Sequence, residues 1–177
     1  MRARHAARDA RRAGEFEAFV AGAGARLLLS ATLLTAEAPD DNPRARRLST
    51  LALAHTYACW DRLRGEDPYD HARRHLATRF AHTGRHRHGA GPARARDRPA
   101  GALARLSPQE RLVLVLRLHE GLAEEQVAAL LGLPTERVHA LRDRATATLL
   151  RPPPDRRRAA RARAHAAERP IAEGRRG

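Results

Sequence analysis

Residues 124–144 read EEQVAALLGLPTERVHALRDR, and this stretch leaves the chain few ways to fold. Val127 and Leu131 are four residues apart and share one face of a helix. Gly132 takes positive φ without steric cost, which ends that helix and redirects the chain. Leu133 plugs the corner, and Val138, Leu141 and Ala145 return an apolar stripe at helical spacing toward the first helix. Ala128 stands where two steeply crossing helices approach closest and only a small side chain fits. The pattern predicts a helix-turn-helix. It leaves Thr135, Glu136, Arg137, His139, Ala140, Arg142, Asp143 and Arg144 facing outward, a polar surface suited to a DNA major groove. An αα-hairpin inside a helical bundle has the same spacing, so the context has to decide.

Charge is the first context. The formal charge is +14, and all 34 basic residues are arginine. Arginine forks onto phosphates and guanine edges, so a nucleic-acid partner is the leading reading, although GC-rich codons produce the same bias. Aromatic residues make up 3% of the chain, which leaves few platforms for stacking on single-stranded bases. One cysteine, Cys59, excludes an internal disulfide and is expected as a small buried residue. The apolar runs are too short and interrupted for a membrane span, and the basic N-terminus lacks the apolar core of a signal peptide. The expectation is a cytoplasmic protein without membrane contact.

Taken in order, residues 1–14 form an Arg/Ala arm expected to be disordered. From 15 to about 35, Phe16, Phe19, Val20, Leu27, Leu28, Ala31 and Leu34 recur at helical steps, with Gly22 and Gly24 weakening the pattern locally. Residues 36–44 carry two prolines and form a loop. A second helix is predicted over 45–63 and a turn over 64–67. Pro68 suits the first position of a third helix, so that 15–83 make a three-helix domain. Residues 84–102, GRHRHGAGPARARDRPAGA, have no apolar period and read as a flexible linker. Ser107-Pro108-Gln109-Glu110 is a capping box that starts a helix. Leu112, Val113, Leu116 and their neighbours make that helix apolar nearly all round, so it should lie at the centre of a second domain, 103–150, that ends in the helix-turn-helix. Residues 151–177 form a basic tail expected to be disordered. The fold class is all-α, with two small helical domains.

Patterns that carry catalytic chemistry are missing: there is no Gly-rich phosphate loop, nucleophile elbow or HExxH, so an enzyme is not expected, nor a small-molecule substrate or cofactor. His71 and His75, and likewise His82 and His86, are four apart. No cysteine joins them and Asp70 is the only nearby carboxylate in a plausible position, so no metal site is expected. Glu124 and Glu125 are first-turn carboxylates favoured by the helix dipole. Tyr57 and Trp60 are expected as core anchors.

With these residues in place, the chain resembles an extracytoplasmic-function sigma factor, the two-domain promoter-recognition subunit of bacterial RNA polymerase, in its short Arg-rich form. LSPQERLVLVLRLHEGLAEEQVAALLGLPTERVHALRDRATATLL is similar to the family's reader of the upstream promoter element. FEAFVAGAGARLLLSATLLTA resembles its first helix, ARRLSTLALAHTYACWDRL its polymerase-binding helix and DPYDHARRHLATRFAHTGRHR its promoter-melting helix. The resemblance covers residues 15–150 apart from the linker.

The resemblance implies promoter DNA and core RNA polymerase as partners, with an anti-sigma factor as a further one. It places Arg46, Arg47, Thr50 and Leu51 on the polymerase-binding surface, and Arg73, Arg74 and Arg79 on phosphates of the downstream element. Thr135, Arg137 and His139 would enter the groove of the upstream element, with Arg142 and Arg144 on its phosphates. Two departures stand out. The family's acidic Ala-Glu-Asp-Leu-Val-Gln-Glu opening is Ala45-Arg46-Arg47-Leu48-Ser49-Thr50-Leu51 here, a reversal of charge at the expected polymerase surface. Ala123 replaces a frequent Ser N-cap, which costs about 1 kcal/mol locally. The alternatives are a helix-turn-helix regulator that does not recruit polymerase and an interaction decoy of sigma factors.

Overall fold

The computed structural model describes residues 2–63, 65–86 and 101–152, with side chains except at 3 and 84–86. The described residues form six α-helices: α1 (Arg2–Thr35), α2 (Pro43–Cys59), α3 (Pro68–His86), α4 (Pro108–Leu114), α5 (Glu124–Leu131) and α6 (Thr135–Leu150). Short 3-10 turns cover Trp60–Arg62 and Ala102–Arg105, and a π turn, Val115–His119, extends α4. Among the described residues the one extended pairing is an isolated bridge between Ala38 and Asp41. The all-α class and the C-terminal helix-turn-helix are as the sequence predicts.

The largest difference is the arm. Residues expected to be disordered continue α1 down to Arg2. Alanine and arginine are strong helix formers, and the helix beneath them is fixed by packing. Phe16 lies 4.8 Å from Tyr57 and 5.2 Å from Trp60, centroid to centroid, and Phe19 lies 5.5 Å from Trp60. Arg12 then sits over the Tyr57 ring at 4.3 Å, and Arg8 and Arg12 each reach Asp61 at 3.7 Å. Tyr57 and Trp60 are therefore anchors of an aromatic cluster at one end of the bundle rather than of its centre, with Tyr57 37% exposed. By length and composition alone, α1 also contains a window apolar enough to cross a membrane, which the sequence reading does not find. Its residues Leu27, Ala31 and Leu34 are buried in the bundle core.

Helix α2 starts two residues early, because Pro43 takes the first helical position and Glu37 reaches back to cap the helix. The Glu37 carboxylate, buried in the loop, accepts from the backbone N–H of Arg44 at 3.1 Å and of Ala45 at 2.8 Å. Helix α3 starts on Pro68 as predicted, with Asp67 accepting from the Tyr69 N–H at 2.9 Å.

The predicted capping box is present at α4. The Ser107 N–H donates to Glu110 at 2.9 Å, and the Glu110 N–H donates to Ser107 Oγ at 3.3 Å. Leu112 through Leu116 are all buried, as expected of a central helix, but Leu118 beyond them is 75% exposed. Gly121 turns the chain at φ 73°, and Gly132 at φ 63° ends α5 in the left-handed region. Ala123 supplies no side-chain cap, and Gln126 compensates in part by accepting from its N–H at 2.8 Å.

The two helical groups pack together. Leu27, Leu34, Leu76 and Phe80 from the first belong to the same apolar cluster as Leu112, Val113, Leu116, Val127, Val138 and Leu141 from the second. Of the predicted linker, residues 84–86 extend α3, and residues 101–102 lead into the next turn. Its remainder, 87–100, lies outside the described residues, as does the predicted tail from 153 onward.

Candidate nucleic-acid interface

Helix α6 is held by the side that sequence periodicity assigns to the core. Val138, Leu141 and Ala145 are fully buried, while Arg137, His139, Ala140, Asp143 and Arg144 are exposed and Thr135, in the first turn, is half-buried. Arg137 has no side-chain partner among the described residues and projects freely from the start of the helix.

The other expected contacts of α6 are engaged by carboxylates. Arg142 pairs with Glu124, in the first turn of α5, and with Asp143 at 2.9 Å. His139 lies 3.4 Å from Glu124 and 3.1 Å from Asp143. The hydrogen bond from Arg142 holds the Asp143 carboxyl below its usual range. Glu124, read from sequence as a helix-dipole carboxylate, also fastens α5 to α6. Arg144 is exposed, with Glu110 at 3.8 Å.

Among the α3 arginines, Arg74 and Arg79 are exposed, Arg74 with Glu66 at 3.9 Å. Arg73 differs: its side chain is 14% exposed, bonded to Asp70 at 2.8 Å and 3.8 Å from Glu120. It is an internal strut between α3 and the end of α4 in this arrangement. On α2, Arg46, Arg47 and Thr50 are exposed, with Arg46 donating to Asn42 at 2.9 Å. Arg47 and Leu51 line a cleft of about 430 Å³ together with Arg79, Phe80 and Arg111.

Two polar residues that join the helical groups are missed by sequence reasoning. Glu120 is buried and accepts from the Tyr69 hydroxyl at 2.9 and 3.1 Å, from Arg26 at 3.1 Å and from the Ser30 hydroxyl. Burial, followed by the hydrogen bond and charge of Glu120, pushes the Tyr69 phenol up to about 12. Arg111 is buried and donates to the carbonyls of Leu34 at 2.9 Å, Leu103 at 3.0 Å and Leu106 at 3.1 Å. Its position in the Ser-Pro-Gln-Glu-Arg start of α4 is the one sequence signal available. Cys59 is half-buried rather than a core residue, and it stands beside histidines that sequence spacing does not connect to it.

The net charge is unevenly placed. Residues 103–150 hold six arginines and six carboxylates, and residues 15–83 hold nine of each. The whole excess of +14 therefore belongs to segments 1–14, 84–102 and 151–177.

Residues 102–149, which span α4, α5 and nearly all of α6, match the family model of sigma-70, region 4. Comparison with curated proteins and with solved structures gives no match. This part of the chain is thus similar to region 4, which in sigma factors is a DNA-binding helix-turn-helix domain.

Proposed function

We propose that the chain, with a region 4 domain at 102–149 as the premise, is a sigma factor of the extracytoplasmic-function type that directs RNA polymerase to a restricted set of promoters in the cytoplasm. The observation that carries this reading is the coincidence of the match with a helix-turn-helix whose second helix turns a free arginine outward. In such domains that helix enters the major groove, where base edges are read, while contacts to the sugar-phosphate backbone fix the register. Arg137 is the base-reading candidate, with Thr135 and His139 beside it. Arg144 reaches phosphate, and Arg142 does so only by exchanging Glu124 for it.

In this reading, Arg74 and Arg79 serve the downstream element, and Arg73 joins them once α3 and α4 separate. Arg46, Arg47, Thr50 and Leu51 lie on one exposed side of α2, in the position of the polymerase-binding surface. An anti-sigma factor that covers either surface fits the same scheme. The chemistry is recognition and positioning, with no bond-making step assigned to the chain.

The exposed Arg46 and Arg47 favour a second reading, a helix-turn-helix regulator that binds DNA without polymerase. Pull-down with core polymerase followed by run-off transcription separates the possibilities. Core binding with promoter-dependent initiation supports the sigma factor. DNA binding without core association supports the regulator, and core binding without DNA supports a decoy.

A further inference from the structure

We propose that α2 and α3 together form a binding site for a divalent cation of the zinc class, with His55, Cys59 and His71 as ligands. This inference is independent of the promoter-recognition reading. His55 and Cys59 are one helical turn apart on α2, so both side chains leave the same face. The turn Trp60–Arg62 and Gly65, at φ 90°, reverse the chain so that the first turn of α3 brings His71 opposite them.

The donor atoms of the three residues lie within 4.8 Å of one another, with Cys59 Sγ 3.9 Å from His55 Nε2. Tetrahedral zinc, with bonds of about 2.0–2.1 Å to nitrogen and about 2.3 Å to sulfur, sets its donors about 3.4–3.6 Å apart. Side-chain rotation on the two helices has to close that difference for an ion to be held.

A second observation points to a ligand. His71 Nε2 is buried and has no hydrogen-bond partner. A buried polar atom without a partner is uncommon enough to need an explanation, and a bound ion is one of the recognised ones. The imidazoles are also stacked: His55 and His71 have centroids 5.3 Å apart with planes within 3°, and His55 and His75 are 3.9 Å apart.

The donor set selects the cation. One thiolate with two imidazoles suits zinc-like ions, whereas magnesium and calcium require oxygen. On binding, Cys59 loses its thiol proton to solvent and the sulfur donates its pair to the metal. The surrounding charge is mixed, with Arg62 3.4 Å from the sulfur and Arg74 paired with Glu66. The thiolate offsets part of the added positive charge.

The test uses the full chain, reduced and freed of metal by chelator, titrated with cobalt(II) and then zinc(II). One equivalent of cobalt should give the visible bands of a tetrahedral site together with a near-ultraviolet thiolate-to-cobalt band, and zinc should displace it. Cys59→Ser should remove the thiolate band. His55→Gln, at an exposed position, and His71→Gln should each weaken zinc binding about tenfold or more. Zinc should raise the Tm of the unsubstituted chain and not that of His55→Gln. The chain has 10 histidines, so a variant with His82, His86 and His88 changed to Gln must keep the thiolate band. Absence of that band at one equivalent, or affinity unchanged in both Cys59→Ser and His55→Gln, would place the metal on other histidines and overturn the proposal.

Discussion

Replacing Glu120 by alanine tests how the two helical groups are joined. The Glu120 side chain is 1% exposed, and all its partners, Arg26, Ser30, Tyr69 and Arg73, come from α1 and α3. Removing the carboxylate leaves two hydroxyls and two guanidiniums around an empty acceptor position. Breaking a buried ion pair from one side costs about 3–5 kcal/mol. Arg26 is 51% exposed and regains water, so the lower end of that range, about 3 kcal/mol, is expected here. That is a large part of the total of about 5–15 kcal/mol available to a domain. Glu120→Gln keeps one acceptor oxygen but turns an amide N–H₂ toward cationic donors, and should cost about 2 kcal/mol. Urea unfolding followed by circular dichroism measures both, with an unchanged m-value marking a true loss of native stability. A shift below about 1 kcal/mol for the alanine variant would refute the reasoning, because it would mean that water takes the place of the buried partners at no cost.

Four further outcomes are expected. Arg137→Ala should reduce discrimination between promoter and random duplex by about 1–3 kcal/mol, and equal loss on both in binding titrations would remove its base-reading role. Arg46→Glu combined with Arg47→Asp should tighten binding to core polymerase, as read by pull-down or interferometry, and unchanged affinity would show that this surface is used differently. In Tyr57→Phe, where Tyr69 is the one remaining tyrosine, phenolate absorbance should rise near 12 rather than 10. Because the folded value lies above the unfolded one, this group's contribution to stability is complete below about 10 and is lost as pH climbs toward 12. Deleting residues 153–177 should flatten the logarithmic salt dependence of DNA binding by about 0.9 for each phosphate the tail would otherwise neutralise, while leaving sequence discrimination intact.

The features legible in the sequence are those decided within a few residues. Gly132 needs a left-handed conformation, Ser107 and Glu110 exchange bonds across one turn, and Val138, Leu141 and Ala145 repeat on one face, so the helix-turn-helix follows from local stereochemistry. What sequence does not show depends on partners far along the chain. Arg12 is helical because Tyr57 and Asp61 wait beside it, and Glu124 meets Arg142 only after the turn has folded. Glu120 reads as an ordinary carboxylate before a glycine until Tyr69 and Ser30 close over it. Cys59 and His71 likewise stand twelve residues apart in sequence, and only the packing of α2 on α3 brings them together.

The charge distribution bears on how the chain would read DNA in the proposed role. Residues 15–83 and 103–150 are each neutral on balance, and the carboxylates of Glu124 and Asp143 already occupy Arg142 of α6. A neutral reading surface has little nonspecific pull on phosphate, so in that role the fit of Arg137 and its neighbours to base edges would decide what is bound. Long-range attraction then falls to the arm, the linker and the tail, where the excess arginine lies. The joint between the groups follows the same logic. Its centre is a carboxylate whose partners are hydroxyls and guanidiniums, groups that water resolvates when the surfaces part. An interface sealed by leucine alone would lose about 25 cal/mol for every square ångström exposed. By mixing an apolar core with a polar lock, the chain lowers the cost of moving α4, α5 and α6 away from α1 and α3, a motion that the proposed reading of two separated promoter elements at once would require.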